Sequence, residues 1–228
     1  MRCVPPSQKD TITSVATTKT ARTVLITVLA VGVAGLIVGV LGALGILTPT
    51  TQTVPDLQGN RVHVDPGTLP PAKTQKAMNV VPDIGQRLKV PSVGLDVRLG
   101  ELSEADNTIT PPGFDSAYLV RNLGASLDQP GQGTLYVVAH SVRGGGIGPG
   151  NYLIDVEHGT ARVKPGATVQ VGDHTYVVTG SRTIDKHRLP DDPAMWANTP
   201  RRLVLITCLQ RPSGAPSTDN LIITATLQ

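Results

Sequence analysis

Apart from Cys3 near its start, the chain holds one cysteine, Cys208, at the end of the apolar run Arg202-Leu-Val-Leu-Ile-Thr-Cys208. A second apolar run, Thr134-Leu-Tyr-Val-Val-Ala-His140, ends on a histidine. Cysteine is the ordinary side chain best suited to nucleophilic attack near neutral pH, and imidazole titrates close enough to neutrality to take a proton and return it. The two together are the minimum equipment for acyl transfer through a thioester. Taken singly, each has a structural reading: a buried core thiol, and a hydrogen-bonded strand histidine. Their shared placement, at strand ends beside Gly-, Ser- and Pro-rich loops, favours a site.

Other chemistries find less support. His158, His174 and His187 are scattered on surface-like segments, His63 falls in a linker, and no Cys/His pair has zinc-ligand spacing. No metal and no organic cofactor is expected. Asp191-Asp192 reads as a loop or helix-capping pair. The loop Ser141-Val-Arg-Gly-Gly-Gly-Ile-Gly-Pro-Gly150 is glycine-rich but lacks the Gly-Lys-Ser/Thr of a phosphate cradle, so it reads as a flexible wall of a peptide groove.

The elements that must position the pair begin at a membrane. Residues 24–47 carry no charge and consist of Val, Leu, Ile, Ala, Gly and Thr. At about 1.5 Å per residue they cross a hydrocarbon core of about 30 Å with some tilt to spare. Arg2, Lys9, Lys19 and Arg22 precede this stretch against a single Asp10. The positive-inside rule then puts the N-terminus in the cytoplasm and the bulk of the chain outside. A cleaved signal peptide would have a shorter apolar region and a clearer cleavage site than Ala43-Leu-Gly45, so an uncleaved signal anchor is expected. In that topology Cys3 and Cys208 lie on opposite sides of the bilayer and cannot pair. A lone thiol outside the cell is exposed to oxidation, which weighs mildly towards a use for it.

Charge excludes a nucleic-acid role. Residues 1–80 hold seven Lys/Arg against three Asp/Glu, whereas residues 81–228 hold thirteen against fourteen. The basic excess belongs to the tail and linker, and the remainder offers no footprint for phosphates. The chain thus divides into a cytoplasmic tail (1–23), the membrane span (24–47), a Thr-, Pro- and Gly-rich extracytoplasmic linker (48–80) and one domain (81–228). The linker reads as an extended tether, with packing on the domain an alternative around Arg61–Asp65.

The domain reads as mainly β. Short runs rich in Val, Ile, Leu and Thr are expected as strands at Arg87–Val90, Val97–Leu99, Ala117–Val120, Thr134–His140, Thr168–Val171, His174–Ile184, Arg202–Cys208 and Asn220–Leu227. Gly172-Asp173 reads as a hairpin turn. Helix is confined to short pieces near Asn151–Val156 and Asp192–Ala197, the latter opened by Asp-Pro. Eight strands at this spacing suggest a closed or nearly closed barrel.

Leu205-Ile-Thr-Cys208, Val137-Val-Ala-His140, the last strand Asp219-Asn-Leu-Ile-Ile-Thr-Ala225 and the entry Leu88-Lys-Val-Pro-Ser-Val-Gly-Leu-Asp96 together resemble the sortases. These are membrane-anchored cysteine transpeptidases of Gram-positive bacteria built on an eight-stranded barrel. The resemblance is nearest to the actinobacterial groups called class E and class F, and covers residues 81–228. It implies Cys208 as nucleophile and His140 as general acid/base. It implies cleavage of a C-terminal sorting signal of secreted proteins and transfer of the acyl group to a cell-wall amine or a pilin lysine. Thr207, Ser141 and Arg143 are the candidate substrate contacts beside the pair.

The family's third residue is an arginine just before the Asp-Asn of the last strand, where this chain has Thr218. Arg211, the only Arg or Lys after Cys208, is then expected to supply the positive charge, with Arg182, Lys186 and Arg188 as rivals. Two alternatives follow. One is a barrel of reduced turnover acting as a peptide-binding or assembly module. The other, an L,D-transpeptidase, is disfavoured because Leu-Ile-Thr rather than Ser-His-Gly precedes Cys208.

Overall fold

The computed structural model describes residues 53–64 and 68–228. The expected cytoplasmic tail and membrane span lie outside the described residues. In chain order the strands are β1 (Thr53–Pro55), β2 (Arg61–His63), β3 (Val81–Val90), β4 (Leu95–Leu102), β5 (Ser116–Val120), β6 (Thr134–Val138), β7 (Ile154–Asp155), β8 (Thr160–Ala161), β9 (Thr168–Val171), β10 (His174–Asp185), β11 (Arg202–Leu209) and β12 (Asp219–Leu227). Two short α-helices, α1 (Ala72–Ala77) and α2 (Pro193–Trp196), accompany them.

Eight of the strands close a barrel in the order β10-β12-β11-β6-β5-β4-β3-β9. Strands with one face inside a barrel and one outside should alternate in character. Here several are apolar on both faces, because the outside is also covered. Leu88, Leu99, Leu119, Val137, Val169, Tyr176, Leu205 and Ile223, one from each barrel strand, meet in the interior. Residues one step out of phase, Tyr136, Val138, Val204, Ile206 and Ile222, pack on an outer cluster. Ile109, Leu189 and Met195, from the connections between strands, cap that cluster. This explains why β6 and β11 read as continuous apolar runs rather than as alternating ones.

Most barrel neighbours are antiparallel, but two pairs are parallel: β4 with β5, and β6 with β11 from Arg202↔Thr134 to Ile206↔Val138. The long excursion through β7–β10 makes the β6–β11 pairing sterically feasible, since parallel neighbours need a crossover rather than a hairpin. Its consequence is that both strands end at the same end of the barrel.

The expected strands are all present, with ends shifted by a few residues. The β9–β10 turn is Gly172-Asp173, with Gly172 at φ +58°. Asp192 caps α2, its carboxylate accepting from the Met195 N–H at 2.9 Å. The helix expected near Asn151–Val156 is instead a single 3₁₀ turn, Pro149–Tyr152, followed by β7. Between Ser141 and Leu153 the asparagine at 151 spends its side chain on loop backbone, which stops a helix from propagating.

The stretch 48–80 departs furthest from expectation, because its described part is folded rather than an extended tether. β1 and β2 form a hairpin, Val54 and Val62 packing with buried Val64, Phe114 and Val142. After α1, Met78 is buried and its carbonyl accepts from the Ser103 N–H at 2.8 Å. A few well-placed apolar residues were enough to offset the ordering cost that the polar composition suggested.

Candidate active site

Extending the parallel register two residues beyond Val138↔Ile206 sets His140 opposite Cys208. Two bonds carry the ladder that far. The Ala139 N–H donates to the Ile206 carbonyl at 3.0 Å, and the Ser141 hydroxyl donates to the Cys208 carbonyl at 2.6 Å. Neighbouring strand backbones lie about 5 Å apart, so thiol and imidazole arise side by side. Cys208 is two residues past Ile206 and so shares its outer face; it is a free, half-exposed thiol.

His140 is buried. Its Nε2 lies 3.0 Å from the Pro111 carbonyl oxygen, and the Phe114 ring meets it edge-on at a centroid separation of 5.1 Å. A carbonyl can only accept, so Nε2 carries the hydrogen and Nδ1 keeps its lone pair free. Burial pulls the pKa down from 6.5 to about 4, with the Lys186 charge acting in the same direction and the Pro111 bond opposing it. The imidazole is therefore neutral at pH 7 and competent as a base.

This has a consequence for stability. Between pH 6.5 and 4 the unfolded chain binds a proton at this histidine that the folded protein does not, so stability is full above pH 6.5 and falls as the pH drops towards 4. From pH 7 to pH 4.5 the loss should be roughly 2–3 kcal/mol. Urea unfolding at the two pH values should show it, and His140→Gln should flatten the slope by that amount. Equal slopes in both proteins would mean that His140 titrates normally in the fold.

The loops behind the pair are pinned, not flexible as the glycine content suggested. Asn151 accepts the N–H groups of Val142 and Gly148 at 2.8 Å each and donates to the Val142 carbonyl at 2.8 Å. Gly150 N–H donates to the His140 carbonyl at 2.8 Å. From the β1–β2 turn, Asp56 accepts the Ile147 N–H at 3.0 Å, so the N-terminal hairpin braces the same loop. Gln210 donates to the Ser141 carbonyl and hydroxyl at 2.9 and 2.8 Å. The Arg143 guanidinium donates to the Gly214 carbonyl at 2.7 Å and ties the loop after His140 to the loop after Cys208.

These contacts redistribute the expected roles. Ser141 is buried and holds the two strands together, with its hydroxyl committed to the Cys208 backbone. Thr207 is not beside the thiol on its face: it is buried opposite Leu221, whose side chain belongs to the interior cluster. Strand alternation turns it away from any peptide at Cys208. Arg143 bridges loops from an exposed position. Arg211 is exposed in the turn closed by its carbonyl and Gly214 N–H, and its side chain makes no hydrogen bond or ion pair among the described residues. Register thus sets Cys208 and His140 opposite each other at one end of the barrel, and Arg211 makes no bond to either.

Four neighbours were not legible in the sequence. Pro111 and Phe114 come from the β4–β5 connection, and Gln210 from just past the thiol strand. The fourth, Asn220, lies directly across from Cys208 on β12, fully buried, with neither amide atom partnered among the described residues. Buried polar atoms are rarely left unpaired without a reason. Only the asparagine inside an otherwise apolar strand, Asn220-Leu-Ile-Ile, could have flagged it beforehand.

No protein-family model and no curated protein matches this chain. Among solved structures it is similar to sortase A of Listeria monocytogenes, with 22% identity over 63% of this chain and 86% of that one and a TM-score of 0.44. It is similar to sortase C-1 of Actinomyces oris, with 13% identity over 85% of this chain and 98% of that one and a TM-score of 0.48. It is also similar to the pilus-related sortase C of Group B Streptococcus, with 14% identity over 63% of this chain and 66% of that one and a TM-score of 0.44.

Proposed function

We propose that the chain is a sortase-type cysteine transpeptidase. The observation that carries this reading is the placement of a free thiol and a neutral imidazole, its Nδ1 unencumbered, at the ends of two parallel neighbours. The Cys208 thiol gives its proton to His140 Nδ1 and its sulfur attacks a peptide carbonyl carbon. The tetrahedral adduct expels the amine, which takes the proton back from His140 and leaves a thioester on Cys208. An incoming amine then reverses these roles. The acyl group comes from a C-terminal sorting signal, and the acceptor is a cell-wall amine or a pilin lysine. The motifs in β3, β6, β11 and β12 favour the class E and F sortases, and the apolar stretch 24–47 favours a single-pass anchor with the barrel outside.

A cavity on the outer face of the barrel, which neither Cys208 nor His140 lines, is a second feature of the domain. Ile109, Leu123, Tyr136, Leu189 and Trp196 line it together with Glu104, Asn107, Asp191 and Lys186.

Incubation with a sorting-motif peptide should give an acyl adduct on Cys208 by intact mass spectrometry, released as a hydroxamate by hydroxylamine. Binding of the peptide with no adduct and no cleavage would sink the transpeptidase reading in favour of a binding or assembly module.

A further inference from the structure

We infer that Lys186 is a catalytic residue of this site, its ammonium facing the oxyanion that forms as Cys208 attacks. The inference rests on the transpeptidase reading above. It starts from a chemical need: attack by sulfur moves the carbonyl π pair onto oxygen, and a fixed cation or donor must meet that charge. Arg211 is exposed with no side-chain hydrogen bond or ion pair among the described residues, Arg143 is engaged with Gly214, Arg182 is paired with Asp192 at 2.7 Å, and Arg188 is exposed.

Register brings Lys186 to the right end of the barrel. β12 pairs Asn220 with Cys208 on one side and with Ile184 on the other. One step past the β10–β12 ladder, the Lys186 N–H donates to the Thr218 carbonyl at 3.0 Å. Lys186 is thus in phase with Ile184, which packs on the outer cluster whose face Cys208 shares. It lies two strands across from the thiol, about 10 Å laterally, and two residues further along, so that a lysine stem and a bound carbonyl together must span roughly 12 Å between the two backbones. Its Nζ donates to the Ser217 carbonyl at 2.7 Å, which fixes the ammonium rather than leaving it to solvent. The side chain also lines the cavity along β6, and its charge acts on buried His140.

Two measurements on the full chain test this. The first compares alkylation of Cys208 by anionic iodoacetate with that by neutral iodoacetamide, a ratio that reads local positive charge without needing a substrate. Lys186→Met should lower the ratio roughly 5- to 10-fold, Lys186→Arg should keep it, and Arg211→Ala should leave it unchanged. The second is cleavage of an internally quenched sorting-motif peptide. Lys186→Met should lower kcat about 100-fold with little change in KM, and Lys186→Arg should recover most of it. An unchanged ratio and kcat in Lys186→Met, with Cys208→Ala inactive, would overturn the Lys186 assignment alone. Full activity in Cys208→Ala would overturn the functional reading and this inference with it.

Discussion

Cys208→Ala should lower peptide cleavage by at least about 10⁴-fold while leaving the fold intact. In enzymes with a covalent intermediate, loss of the nucleophile removes the reaction path, not one stabilising contact. The structural cost should be small because the thiol is half-buried and free of any disulfide, its side chain makes no hydrogen bond among the described residues, and alanine keeps the strand backbone. Thermal melting and circular dichroism of the variant should match the parent, which separates chemistry from stability. A variant that keeps more than about a tenth of the parent's kcat/KM would mean that the acyl group is carried elsewhere or attacked directly by water.

The second large effect is expected from a residue with no chemistry. Gly150→Ala would place a Cβ 1.9 Å from Thr207 Oγ1 and 2.9 Å from both the His140 carbonyl oxygen and the Ser141 nitrogen. The constraint is space rather than conformation, since Gly150 is absent from the positive-φ glycines. Thr207 is held by burial on both sides, and the other two contacts are backbone, so the loop itself must give way. Overpacking of this kind costs about 1–3 kcal/mol or more, and the displaced backbone is that of His140. A shift near 1 Å at a base is worth about 10²-fold in rate. The variant should therefore melt several degrees lower and lose activity out of proportion to its stability. Adding Thr207→Ala should recover part of both by removing the closest clash. An unchanged melting temperature and activity in Gly150→Ala would show that the loop is not the template that sets the imidazole.

Much of the barrel was readable because strand signals are local. β9 was foreseen residue for residue, and β10, β11 and β12 to within one residue at an end, since each is an aliphatic or β-branched run bounded by Gly, Asp, Asn or Pro. In the described part of 48–80 the alternative of packing on the domain, rather than the extended tether, is what the structure shows, because composition averages over the few residues that matter. Val54, Val62, Val64 and Met78 are sparse in sequence, yet they converge on the loop and strand they cover. The glycine-rich loop was misread for a related reason: its order comes from Asn151 and from Asp56, which is distant in sequence, and not from its own residues.

By itself the sequence determined the chemical vocabulary of this protein: one thiol and one imidazole at strand ends, a mainly β domain without a basic surface, and an uncharged stretch long enough to cross a bilayer. Only the tertiary structure decided that β6 and β11 run parallel, which brings Cys208 and His140 to one end of the barrel; antiparallel pairing would have put them at opposite ends. It also decided which side chains stand across from the thiol strand. Arg211 is the nearest cation to Cys208 along the chain but sits in an exposed turn, whereas strand pairing sets Asn220, 12 residues after the thiol, directly opposite it. The physical reason is that side-chain periodicity and turn chemistry are written locally. Register and neighbour order are set by how all eight strands close on a shared core.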